Sequence, residues 1–277
     1  CANNYHLGSI WGSGFGPAAD ASGNLYVSTG NGCISYYDVN NGAFSQAVLK
    51  LTPGLRLNDN TQSMFAPCDA IRESGHDQDL GSGGVTLLPD QTGSVPRVML
   101  AGGKTGVSYV LNRDWLGGWH QGCPNYIVWG GATNGGLFGG HAAWQGPDGF
   151  TYVAMGGTHT PMQRWRVNAD GTLSFSASTN VNLTGEGGTS PVVSSNGTQS
   201  GTYMLWYLTR PEGTNGTIYL VGYDAMNLGA GPYVNVAAGV WNRGTGPFLS
   251  PTVVDNSIYV ASDRQLQIFS VSGLRGF

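Results

Sequence analysis

Between residues 79 and 118 the chain reads DLGSGGVTLLPDQTGSVPRVMLAGGKTGVSYVLNRDWLGG. Glycine and proline recur too often here for a helix to run through, because in a helix interior they cost about 1 and 3 kcal/mol. Instead, three short β-prone runs at 84–88, 97–101 and 107–112 are separated by a Pro-Asp turn and a Gly-Gly-Lys-Thr-Gly turn. The cadence returns at 16–51, 141–175, 190–224 and 250–271. Each copy opens on a small-residue or proline-containing run (GPAAD, GHAAW, SPVVS, SPTVV). It continues into a Tyr- or Met-rich strand (NLYVSTG, FTYVAMG, YMLWYLT, SIYVASD) and then a more polar third strand. With 46 glycines and 13 prolines in 277 residues, no run of helical period is long enough to compete, and the chain reads as all-β.

Five copies spaced by roughly 45 to 60 residues predict a β-propeller of four-stranded antiparallel blades. Their approximate bounds are 16–75, 79–130, 137–182, 188–242 and 246–277, within a single domain spanning 1–277. Residues 1–15 have no blade of their own, and the last copy offers only three strands. Tyr5 to Ile10 is therefore the candidate fourth strand that would close the ring and remove both exposed edges. The alternative is that these blades are the C-terminal part of a seven- or eight-bladed ring.

A net charge of −4, a pI of 5.6 and only 12 scattered Lys and Arg exclude the usual nucleic-acid footprint. No apolar run approaches the 18 or so residues of a membrane span. The chain opens at Cys1 without an initiator methionine, which reads as a processed or partial product. Low charge with abundant Gly, Asn, Ser and Thr points to an extracytoplasmic location: periplasm, outer surface or secreted. The four cysteines, Cys1, Cys33, Cys68 and Cys123, contain no close pair, so zinc and redox motifs are disfavoured and disulfides preferred. Four cysteines allow three connectivities; Cys33 with Cys68 would close a loop inside the first blade, and four buried thiols is the alternative.

The densest polar cluster is Gly75-His76-Asp77-Gln78-Asp79. His76, Asp77 and Asp79 are candidate ligands for a divalent cation, with the two aspartates on one side of an extended segment. The competing reading is a solvated loop whose Asp79 caps the glycine turn after it. Candidate contacts for a ligand or partner are His141, His159 and Arg164 in the third blade. Trp115, Trp119 and His120 join them in DWLGGWHQG, where three glycines disfavour a regular strand and favour exposure. GSGFGP at 12–17 and GSGG at 81–84 lack the helix and lysine of a phosphate loop and read as turns where backbones crowd. No nucleophile elbow is present. No catalytic constellation is evident.

Four segments together resemble the secreted bacterial PQQ-like-repeat (quinoprotein-like) β-propellers: IWGSGFGPAADASGNLYVSTGNG, DLGSGGVTLLPD, GGKTGVSYVLNRDWLGG and SPTVVDNSIYVASDRQLQIFSV. The resemblance runs along nearly the whole chain. In YDAMNLGAGPYVNVAAGVW, Asp224, Gly229 and Trp241 correspond to the docking repeat in which a tryptophan packs between adjacent blades. Quinoprotein dehydrogenases of this kind bind pyrroloquinoline quinone (PQQ) with a calcium ion held by Glu, Asn and Asp side chains, beside a catalytic Asp and often a vicinal cysteine pair. This chain has no vicinal cysteines. Two functional expectations follow. One is an exported binding or assembly scaffold that meets a protein or glycan partner through its loops, without a committed cofactor and as a possible subunit of a larger complex. The alternative is a PQQ- and calcium-dependent alcohol or sugar dehydrogenase, or a fragment of one.

Overall fold

The computed structural model describes residues 8–12, 14–32, 44–58, 60–120, 127–132, 135–213, 215–242 and 248–271. Its strands form five blade-like antiparallel sheets, four of four strands and one of three, each laid down in sequence order. The chain divides into two compact units, Cys1–Ala132 with Asn168–Thr172, and Thr133–Val167 with Leu173–Phe277. Among the described residues no helix is long and apolar enough to cross a membrane.

The first unit holds two sheets. One comprises β1 (Ala18–Ala19), β2 (Leu25–Ser28), β3 (Val48–Leu51) and β4 (Met64–Phe65). The other comprises β5 (Val85–Leu87), β6 (Val98–Gly102), β7 (Val107–Asn112) and β8 (Trp129–Ala132). They meet face to face, Tyr26, Val48 and Phe65 against Val85, Met99 and Leu111. The segment 51–79, too polar for a core strand over most of its length, contains β4 and two short helices, α1 (Asn60–Ser63) and α2 (Ala70–Gly75). Met64 and Phe65 are both buried, so this connection supplies the sheet's outer strand. Of the stretch proposed to close a ring, Tyr5–Leu7 fall outside the described residues. Ile10 bridges Thr29, and Ser9 accepts a hydrogen bond from the Gly30 amide at 3.0 Å, at the end of β2 in the first sheet.

The second unit holds three sheets. They are β9 (Ala142–Gln145), β10 (Thr151–Met155), β11 (Pro161–Val167) and β12 (Leu173–Asn182); then β13 (Val192–Ser194), β14 (Met204–Leu208), β15 (Gly216–Asp224) and β16 (Val234–Trp241); then β17 (Thr252–Val254), β18 (Ser257–Ser262) and β19 (Gln265–Ser270). β14, MLWYL, is buried along its whole length. Alternate side chains of a strand point to opposite faces. Leu205 and Tyr207 therefore join Tyr152 and Ala154 of the sheet before, while Met204, Trp206 and Leu208 join Ile258 and Val260 of the sheet after. A strand sandwiched on both faces has to be apolar throughout. Trp206 fits because its neighbour across the ladder is Gly222, where a β-carbon would lie 2.5 Å from the indole.

Two of the hairpins between first and second strands, β1–β2 and β9–β10, are closed by their own side chains. Asp20 accepts from the Ser22 and Asn24 amides and from the Tyr26 hydroxyl, at 3.0 Å each. Asp148 does the same with the Phe150 amide and the Tyr152 hydroxyl, at 3.2 and 2.7 Å. These carboxylates hold turns, the common use of an aspartate that caps its own backbone.

Candidate functional site

At one end of the first unit's sheets, three connections converge. The β2–β3 connection carries Asn31, the β4–β5 connection carries Asp77 and Asp79, and the tight β6–β7 turn carries Lys104. Glycine allows the approach: a β-carbon on Gly81 would meet Gly30 N at 2.7 Å, and one on Gly103 would meet the Asp79 carbonyl at 2.3 Å. The GSGG run is thus a backbone crossing, as read from the sequence.

Asp79 is wholly buried. Its carboxylate accepts the Asn31 amide at 2.6 Å and pairs with Lys104 Nζ at 2.6 Å. Its carbonyl takes the Lys104 amide at 3.0 Å and the Ser82 hydroxyl at 2.9 Å. Asp77, largely exposed and in the left-handed region at φ 58°, reaches the same two partners: Asn31 Nδ2 at 2.9 Å and Lys104 Nζ at 3.1 Å. The Trp11 ring lies 5.2 Å from the ammonium. Burial disfavours the Lys104 charge, but the two carboxylates outweigh it and its pKa is raised. Two aspartates and one lysine leave the cluster a net negative charge beside an aromatic face. Asn31 Oδ1 and the aspartate oxygens are hard donors of the kind calcium takes. Lys104 can neutralise the carboxylates or meet an acidic oxygen on a ligand.

Behind the cluster stands Gln46, fully buried with φ 56°. Its Nε2 donates to the Gln78 carbonyl at 2.6 Å and to Glu73 at 2.9 Å, and its Oε1 accepts the Leu80 amide at 3.2 Å. One side-chain amide thus grips the peptide groups on both sides of Asp79. Glu73, on α2, is buried, and its carboxyl is pushed up to about 7 by that burial, against the lowering effect of the Gln46 hydrogen bond. Replacing Gln46 with alanine orphans the buried Leu80 amide and the half-buried Gln78 carbonyl and is expected to cost roughly 2–4 kcal/mol. Urea denaturation will read this, and an unchanged midpoint would mean that the grip carries no load.

The expected His76–Asp77–Asp79 trio does not converge. His76 is exposed and its Nδ1 lies 2.7 Å from the Arg72 carbonyl, while the aspartates turn to Lys104 and Asn31. Among the described residues no three His, Cys, Asp or Glu side chains gather closely enough to share a metal ion. Asn31, Lys104 and Gln46 escaped the sequence reading: the first two sit in turns whose glycines explain them without further roles, and Gln46 is a lone polar residue beside an apolar run.

Trp115 is exposed, as expected, but Trp119 is not. The positive φ of Gly117 and Gly118 folds this stretch back so that Gly118 bridges Phe65, and Trp119 enters the core with Met64, Ala66 and Ala70. His120 Nε2 lies 2.8 Å from the Gly117 carbonyl. In the second unit His141 is buried and its imidazole is pushed down to about 4 by that burial. His159, exposed, pairs with Glu212 at 3.4 Å. Arg164 is buried over the Tyr152 ring and donates to the Ala225 carbonyl at 2.8 Å, which ties two adjacent sheets together. Of the docking repeat, the Asp224 carboxylate holds the Met226 amide at 2.8 Å, the Gly229 carbonyl accepts Asn180 Nδ2 at 3.2 Å, and Trp241 packs among the apolar side chains between the last two sheets. Cys68 is disulfide-bonded. Its expected partner Cys33 lies outside the described residues, as do Cys1 and Cys123.

No family model matches the chain, and no curated protein does. Among solved structures it is similar to the quinohemoprotein alcohol dehydrogenase of Comamonas testosteroni, at 15% identity and a TM-score of 0.45. That likeness covers 91% of this chain and 44% of the dehydrogenase, so the chain spans less than half that enzyme's length.

Proposed function

We propose that this protein is an exported β-propeller module that acts as a binding scaffold, and that Asn31, Asp77, Asp79 and Lys104 form its ligand site. The observation that carries the reading is Asp79, a buried carboxylate braced on both sides by Gln46 and shared between an amide and an ammonium. Preorganisation of this kind holds donor atoms ready for a ligand. The exposed Asp77 and the Trp11 ring leave one side open to a polar molecule bearing an acidic oxygen, bound together with a divalent cation. The disulfide at Cys68 supports an oxidising, extracytoplasmic compartment.

A second reading is favoured by the donor set itself. An asparagine, two aspartates and a lysine are the residue types that a calcium-bound PQQ site would use, and they fit it: Asn31 and the aspartates would hold the cation, and Lys104 would face a quinone oxygen. When bound, that cofactor supplies the two-electron oxidation of an alcohol. This chain's own part would be to orient it and to exclude water around Asp79.

Calorimetric titration with calcium alone, and with calcium plus PQQ, tests both readings. The scaffold reading expects calcium to bind and to weaken at least about tenfold in D77A, with no dye reduction by the quinone-loaded protein. Alcohol-dependent dye reduction would replace it with the second reading. Failure of calcium to bind, with or without the quinone, would remove the cluster as a cation site.

A further inference from the structure

The second unit contains a cleft of about 450 Å³ between the end of β12 and the outer strands β15 and β16 of the next sheet. Its floor follows from the strand register. Tyr219, Val221 and Tyr223 are alternate residues and share one face; Tyr207 stands opposite Val221 on β14, and Asn235 opposite it on β16. Tyr207 and Tyr223 are buried and stacked, with centroids 6.1 Å apart and planes 12° from parallel. Tyr219 stands at the lip, 42% exposed, although it is aromatic and sits mid-strand.

The charged groups along the cleft are already engaged. Arg210 donates to the Glu186 and Phe138 carbonyls at 3.1 and 3.0 Å and stacks over Phe248. Glu212 accepts the Gly185 amide at 3.0 Å and pairs with His159. Open to a ligand are aromatic faces and neutral amides. Asn182, Asn215 and Asn235 line the cleft and are exposed, and their side chains make no hydrogen bond among the described residues. Each offers one acceptor and two donors.

We infer that this cleft binds a neutral oligosaccharide, with a sugar ring stacked on Tyr219 and its hydroxyls met by the asparagine amides. A pyranose has an apolar C–H face and an edge of hydroxyls that donate and accept at once, and the cleft carries the complement of both. A purely apolar ligand would leave three free amides facing it unpaired, which is costly. The charged side chains of the cleft, Arg210 and Glu212, are already spent on backbone groups, so a neutral ligand is its better complement. The cleft belongs to the second unit, and its test is independent of the Asp79 cluster.

Isothermal titration and saturation-transfer NMR with maltopentaose, cellopentaose, laminaripentaose, xylopentaose and chitopentaose will decide. At least one is expected to bind in the micromolar to millimolar range. Y219A should weaken it at least about tenfold, while Y219F stays within about threefold. N235A should weaken it severalfold, and both variants should melt near the wild type. The inference is overturned if no member of the panel binds at millimolar concentration, or if binding is indifferent to N235A and to Y219A. Should Y219A fail to fold, N182A and N235A carry the same decision.

Discussion

K104M will lower the stability of the first unit by about 3–5 kcal/mol, the usual cost of removing one partner from a buried ion pair. In a chain of this size that is a fall in melting temperature of roughly 10 °C. The loss arises because the Asp79 side chain is only 1% exposed and is left buried without its counter-ion. Asp77, on the other side of the ammonium, is 75% exposed and can turn to water, so it adds little. D79N/K104M, which removes both charges in similar volume, should recover much of the loss. K50M is the control: that lysine is anchored by one hydrogen bond to the Arg113 carbonyl at 2.8 Å, and its replacement should cost within about 1 kcal/mol. Calorimetry on the four proteins at pH 7 suffices. A K104M protein as stable as the wild type would mean that Asp79 is not held by this pair.

The second large effect is on the pH dependence of stability. Glu73 holds its proton up to about 7 in the folded protein, whereas an ordinary glutamate releases it near 4.5. Between these values the folded state binds more protons than the unfolded, so stability falls as pH rises, by up to roughly 3 kcal/mol. His141 acts in the opposite sense. Its imidazole stays neutral down to about 4 when folded and protonates near 6.5 when unfolded, so stability falls as pH drops through that window. The two slopes overlap and oppose one another. Wild type should therefore be nearly flat from about pH 4.5 to 6.5, and E73Q should expose the histidine slope and be the more stable protein at pH 8. The groups around Glu73 are Gln46, Asp69, Arg72 and Tyr109, and glutamine can still accept the Gln46 hydrogen bond. If the two units melt separately, the first transition will fall with pH and the second will rise. An E73Q profile parallel to wild type would place the proton elsewhere.

Turn chemistry made the five sheets legible in the sequence. Asp20, Asp148 and Asp170 each cap the turn that contains them, and strands such as β6 and β14 stand out as short unbroken apolar runs. β4 was not legible, since two residues have no period and Met64–Phe65 lies among polar neighbours. Trp119 misled because its glycines signal an irregular stretch without saying that it folds inward. The candidate site was half visible. Asp77 and Asp79 drew notice as a local cluster, but Asn31 lies 48 residues from Asp79, and Lys104 lies 27 from Asp77. Only the meeting of three connections joins them, and no local pattern records such a meeting.

Every sheet here is one uninterrupted length of chain, strand beside next strand, and at least two open with a hairpin clasped by an aspartate and a tyrosine of its own. Duplicating or deleting one such length alters how many sheets there are without rewriting any of them. It also makes links between sheets the places to look for tolerated new termini in a circular permutant, except the β4–β5 connection, which Gln46 and Lys104 hold in place, whereas a cut inside a hairpin would separate a clasp from its partner.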